Sequence, residues 1–170
     1  MAPYHGDTFK LLGRQPQPAA ESLDALAQAE RRLGMRLPAS VREWYSCRET
    51  LSILAEHGND DPPVSVSNFD AEESPFGRLL PIRRENHGVC AWAVCLDGSE
   101  DPPVYVDVDS SGNNWQFLTL CLSTYVHTTD CDYTVLLGRP ALVQAQNGPI
   151  GSVARKILNS SHQTGKCFQA

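Results

Sequence analysis

The chain has no run of about 18 or more apolar residues, the length a helix needs to cross a bilayer. Its opening, MAPYHGDTFKLLGRQPQP, lacks the basic-then-apolar order of a secretion signal. A cytoplasmic location with no membrane partner is the expectation. There is no glycine-rich loop of the G-x-G-x-x-G or G-x-x-x-x-G-K type, so nucleotide chemistry has no support. No CxxC pair occurs, and His127 with Cys131, one helical turn apart, has no second His/Cys pair to complete a metal centre. No metal and no cofactor is expected. The six cysteines, Cys47, Cys90, Cys95, Cys121, Cys131 and Cys167, are scattered through apolar segments without a secretory context. They read as reduced thiols rather than a disulfide framework.

What is present fits one globular domain. A chain of 170 residues, 41% hydrophobic and 20% charged, is long enough to bury about two-thirds of its unfolded surface. Its organising stretch is Glu85 to Asp109. Val89 to Leu96 is an apolar run centred on Trp92, Asp97 to Asp101 has turn composition, and Pro102-Pro103 forces extended backbone into Val104-Tyr105-Val106. This is the pattern of a hairpin. Alternation puts Val104, Val106 and Val108 on a core face and Tyr105, Asp107 and Asp109 on a wet one. The first strand barely alternates, as an interior strand covered on both faces would, and helices are expected on the sheet.

Charge is scarce in its positive sign where it is dense in its negative. Between Asn59 and Asp109 there are eleven acids against Arg78, Arg83 and Arg84, within a net charge of −6 for the whole chain. A segment of that sign repels nucleic acid and suits a basic protein partner; the plain alternative is a solvated acidic surface.

Taken in order, residues 1–20 contain Pro3, Pro16 and Pro18 and read as a loosely docked arm, with a short ordered piece at Phe9, Leu11 and Leu12. Leu23, Leu26, Ala27 and Leu33 lie at helical spacing and Gly34 supplies the stop. Pro38 opens a second helix, where Ser40 and Glu43 have capping-box spacing and Trp44 and Tyr45 follow; its end somewhere before Gly58 is not fixed by the pattern. Val64 to Val66 is a short strand candidate, 70–73 an acidic loop, and Arg78 to Arg84 a strand or loop. Phe117 to His127 reads as a helix with Leu118, Cys121, Leu122 and Tyr125 inward. Asp130 to Leu137 is ambiguous between helix and strand. One domain is assigned to 21–158 and a frayed tail to 159–170.

Candidate chemistry is thin. Cys90 and Cys95, five apart on a strand, face opposite ways and read as core. Assembling either with His87 or His127 makes a weak nucleophile, because acidic surroundings raise a thiol pKa. Asp107 and Asp109, two apart on one face, can in principle do acid–base work or hold a cation, though most such pairs are simply solvated. Trp92 reads as core, and Trp115, after a Gly/Asn loop, as the tryptophan at a surface cleft.

Glu30-x-x-Leu33-Gly34-x-x-Leu37-Pro38 followed by Val41, Trp44 and Tyr45 resembles the N-terminal helical motif of the SUKH superfamily, the Smi/Knr-like proteins. Glu85-Asn86-x-Gly88, then Trp92, Asp97 and Asp101-Pro102-Pro103-Val104, is similar to that family's central strands, and Phe117 through Val126, more weakly, to the helix after them. The resemblance covers Leu23 to about Val126. It implies an α+β fold: N-terminal helices on a mixed, bent sheet of about five or six strands, with a further helix behind. It also implies a non-enzymatic immunity protein that binds and neutralises a toxin, often a nuclease, or, as the fungal relatives do, an interaction scaffold. The expected partner is a basic toxin domain, and the expected contact residues are Asp97, Glu100, Asp101, Asp107, Asp109 and Trp115. A regulatory interaction module is the rival, and a metal- or Cys-dependent enzyme a weaker one.

Overall fold

The computed structural model describes residues 3–13, 15, 17–47 and 61–136. By its contacts the chain divides into two compact units, Met1–Tyr133 and Thr134–Ala170, and the architecture that follows is that of the first. Expectations for the second helix beyond Cys47, for 141–158 and for the tail lie outside the described residues.

Among the described residues three helices come first: α1 (Gly6–Leu11), α2 (Ala20–Leu33) and α3 (Ala39–Ser46). A five-stranded sheet follows, β1 (Glu72–Ser74), β2 (Gly77–Arg84), β3 (Ala91–Cys95), β4 (Val104–Asp107) and β5 (Trp115–Thr119), and then α4 (Leu122–Leu136). The spatial order β1-β2-β3-β4-β5 equals the chain order and every pairing is antiparallel. The fold is therefore α+β as expected, but the sheet is a meander rather than mixed, since hairpin-length connections join successive strands. Among the described residues no helix is long and apolar enough to cross a membrane.

The helical motif works as a clip. Gly34 ends α2 in the left-handed region at φ 68°, where a side chain would be strained. The chain then doubles back so that the Glu30 carboxylate accepts Leu37 N–H at 2.9 Å and pairs with Arg42 at 3.2 Å. Pro38 stands just before α3 as expected, but the cap is different. Glu43 turns away to accept the backbone N–H groups of Tyr4 and His5 at 3.0 and 2.7 Å. The α3 N-terminus is instead held by Glu100, whose carboxylate accepts Ala39 N–H at 2.8 Å and whose carbonyl accepts Ser40 N–H at 2.9 Å.

Those contacts to Glu43 dock the described part of the N-terminal segment more firmly than a loose arm, around the short ordered piece expected at Phe9, Leu11 and Leu12. His5, Thr8 and Phe9 are buried, with Phe9 and His5 rings 6.0 and 5.1 Å from Trp44.

The main core lies between helices and one sheet face: Leu26, Leu33, Val41, Trp44 and Tyr45 against Leu80, Ile82, Val94 and Val104, with Leu122 and Val126 of α4. A smaller cluster, Leu79, Ala91, Ala93, Cys95 and Trp115, occupies the other face. Strand β3 is thus covered on both sides, as its unbroken apolar run predicts, although among the described residues helices cover one of them. Trp92 is half-buried rather than fully interior, with the Arg83 guanidinium 5.4 Å from its ring centre.

Pro81 sits inside β2, and the register slips between Pro81 and Arg83, the kind of bulge that accommodates a residue without an N–H. The Ile82 carbonyl there accepts both Val64 N–H and the Tyr45 hydroxyl at 2.8 Å. The expected strand at 64–66 is only this attachment plus a bridge from Pro63 to Arg83, followed by a 3-10 turn (Val66–Asn68). The helix expected from Phe117 is strand β5 until Thr119; α4 begins at Leu122 and runs through the segment left ambiguous.

Candidate protein-binding face

Strands β4 and β5 place their side chains in register across the sheet: Ala93 opposite Tyr105, and Tyr105 opposite Phe117. In-register residues share a face, here the one away from the helices. The tight turn between β1 and β2 adds a third ring. Gly77 takes φ 102°, Ser74 Oγ donates to Gly77 O at 2.7 Å and accepts Phe76 N–H at 3.1 Å. Phe76 thereby stacks on Tyr105 with centroids 4.7 Å apart, and Phe117 meets Tyr105 edge-on at 5.9 Å.

These rings are not roofed. Phe76 is 45% and Phe117 54% exposed, and Leu118 and Leu120 beyond it are 41% and 80% exposed. Scattered surface apolars need no explanation, but a row of three rings, with Phe76 and Phe117 each packed on Tyr105, forms a patch. Burial, then the charges of Cys95 and Asp97, push the Tyr105 hydroxyl pKa up. The opposite half of the same face is closed. There Trp115 is 7% exposed and the loop 108–114 folds over it, with the indole N–H donating to Gly112 O at 3.1 Å.

The sequence-predicted contact residues divide between the two ends of β4. At its start, Asp97 is exposed and accepts only its own turn's Ser99 N–H at 2.9 Å among side-chain bonds. Glu100 holds α3, and Asp101 accepts Ser123 N–H and Oγ–H at 3.0 and 2.6 Å, capping α4. At the far end, Asp109 is exposed; hydrogen bonds from Ser111 and Asn114 hold its carboxyl down at about 2. Asp107 and Trp115, expected on a wet face and at a surface cleft, are both buried. The alternation assigned the face of Asp107 correctly, but the loop after β4 closes over that half of it and over Trp115, which lies opposite Asp107 on β5.

Other acids of the central segment are similarly engaged. Asp61 pairs with Arg83 at 3.6 Å, Glu72 with Arg84 at 3.9 Å, and Glu85 accepts His87 and Val89 N–H groups at 2.8 and 3.1 Å within its own turn. The rings that form the open face were legible only in part. Tyr105 stood on the right face, while Phe117 was lost to a helix assignment and Phe76 carried no signal.

Burial, then Glu85 and Asp61, raise the Cys90 thiol pKa, and burial, then Asp97, raise that of Cys95. Both thiols are thereby less nucleophilic at neutral pH. Among the described residues no group of three or more His, Cys, Asp or Glu is placed to hold a metal ion. Comparison with protein-family models, curated proteins and solved structures finds no match for this chain.

Proposed function

We propose that the chain acts by binding another protein, as an immunity protein that neutralises a cognate toxin domain by stoichiometric capture. The observation that carries the reading is the uncovered row Phe76–Tyr105–Phe117 beside the exposed acid Asp97. Aromatic anchors supply most of the energy of protein interfaces, and surrounding charge selects the partner and speeds encounter. The occupant this face suits is basic, because the segment that builds it carries eleven acids and three arginines. Acids that cap helices or close turns still contribute their negative field at distance. The raised Cys90 and Cys95 thiol pKa values favour binding over Cys-dependent catalysis.

The test is affinity capture from the source organism with the chain as bait, followed by assay of whatever is retained. Expected is a basic protein that is toxic alone and silenced at one equivalent, with affinity falling as salt rises. Phe117→Ala is expected to weaken capture by about 30-fold, the size of an interface hot spot. A captured protein that is neither toxic nor inhibited returns the reading to a regulatory scaffold. Capture undiminished by Phe117→Ala and Tyr105→Ala moves the interface off this face.

A further inference from the structure

The loop that closes the other half of the face holds an electrostatic conflict. Asp107 is 1% exposed, and its Oδ1 is buried without a hydrogen-bond partner. Its other oxygen, Oδ2, accepts Gly112 N–H at 2.6 Å, which aims the carboxylate into the loop. A buried carboxylate oxygen without a donor is costly unless a cation meets it.

We propose that the loop Asp107–Asn114 is a binding site for a calcium ion, with Asp107 Oδ1, Asp109 and Ser111 as side-chain ligands. The order Asp107-x-Asp109-x-Ser111-Gly112 follows the first six positions of the D-x-[DN]-x-[DN]-G calcium loop, with Ser in the fifth place. The internal bonds follow the same logic: Asp107 accepts from Gly112, Asp109 Oδ1 from Ser111 N–H at 3.0 Å, and Ser111 Oγ from Asn113 N–H at 3.1 Å. Gly112 at φ 76° makes the sharp turn the sixth position needs. The twelfth position of such a loop, normally a bidentate Glu, is Leu118 here. No third carboxylate joins Asp107 and Asp109 among the described residues.

The chemistry selects calcium. The donors are carboxylate, hydroxyl and backbone carbonyl oxygens, without the imidazole or thiolate that draws zinc or copper. Magnesium demands a tighter octahedral shell than a loop of this build offers. With two carboxylates in the loop, the site belongs to the weak class, with Kd about 10⁻⁴ to 10⁻³ M. It stands independently of the partner reading, since calcium binding is measured on the chain alone.

The experiment is calorimetric titration of the full chain with calcium chloride, alongside terbium luminescence excited through tryptophan. Trp115 donates to the loop carbonyl of Gly112 at 3.1 Å, which makes it a local antenna. Expected is one saturable calcium site and terbium emission displaced by calcium. Asp109→Asn, an exposed substitution that leaves the core untouched, should weaken binding at least tenfold, and Asp97→Asn, in a different turn, should not change it. No saturation by about 10 mM calcium, an order above the weak class, would overturn the site. So would equal binding by Asp109→Asn, or equal preference for magnesium.

Discussion

Asp101 offers the sharpest test of the distinction between an acid that binds a partner and an acid that holds the fold. Its carboxylate receives two hydrogen bonds from Ser123, from the backbone N–H at 3.0 Å and from the hydroxyl at 2.6 Å. That N–H belongs to the first turn of α4, where the helix offers no partner of its own. Removing a cap costs about 1 kcal/mol, and a hydrogen bond from a hydroxyl to a charged acceptor about another 1 to 1.5. Asp101→Ala should therefore destabilise by about 2 kcal/mol. At about 3 to 5 °C per kcal/mol for a domain of this size, Tm falls by about 6 to 10 °C. Asp101→Asn keeps an acceptor oxygen and should lose about half as much. Asp97→Ala gives up one bond within an exposed turn and should shift Tm by less than about 2 °C, as surface substitutions do. Thermal unfolding followed by circular dichroism, checked by urea midpoints, reads all three. If Asp101→Ala matches Asp97→Ala, the cap contributes nothing, and the acid is free for a partner. The same arithmetic warns that a variant with Asp97, Glu100 and Asp101 all changed to Lys reports lost folding and lost binding together.

Two further outcomes are expected. Burial pushes the His5 pKa below 6.5, against the opposing Ser40 hydrogen bond and the charges of Glu43 and Asp101. The folded state then binds the proton less readily than the unfolded chain, so His5's contribution to stability is intact above pH 6.5 and declines as pH falls below it. An NMR titration placing its ring at or above 6.5 would refute this. Phe9→Ala removes a ring 2% exposed and should cost about 3 to 4 kcal/mol in urea unfolding, whereas an undocked arm would lose less than about 0.5.

The sequence announces elements where pattern length and chemistry agree. The β3–β4 hairpin, α2 with its Gly34 stop and the start of α3 at Pro38 all combine a periodic run with a residue that can only punctuate it. It misleads where two elements share one spacing. Phe117 and Leu118 lie three or four residues before Cys121 and Leu122, which satisfies a helical template, yet the first pair is on a strand and the second opens a helix. What separates them is Asp101, whose carboxylate fixes where α4 starts from 22 residues away. No local window contains that information. Ser40 and Glu43 show the same limit: their spacing suits a capping box, but Glu43 is drawn off by the N-terminal segment, and Glu100 arrives from the hairpin turn in its place.

Counting acids overstated the charged surface for the same reason. Asp, Glu and Ser are the residues that accept orphan backbone N–H groups at turns and helix starts, so a segment rich in loops between short strands accumulates acids with structural duties. Glu85, Glu100, Asp101 and Asp107 all serve backbone N–H groups. Their charge remains, and so does its negative field, but a long-range field steers without supplying a contact. The contacts must come from groups that are exposed and already held in shape, because ordering a side chain on binding subtracts from affinity. Phe76, Tyr105 and Phe117 meet both conditions, since each ring is fixed by its neighbour while two remain about half in water. Under the proposed function, charge and rings belong to different residues of one antiparallel sheet, and substitutions of the first should alter association rate and salt dependence, while substitutions of the second should alter dissociation.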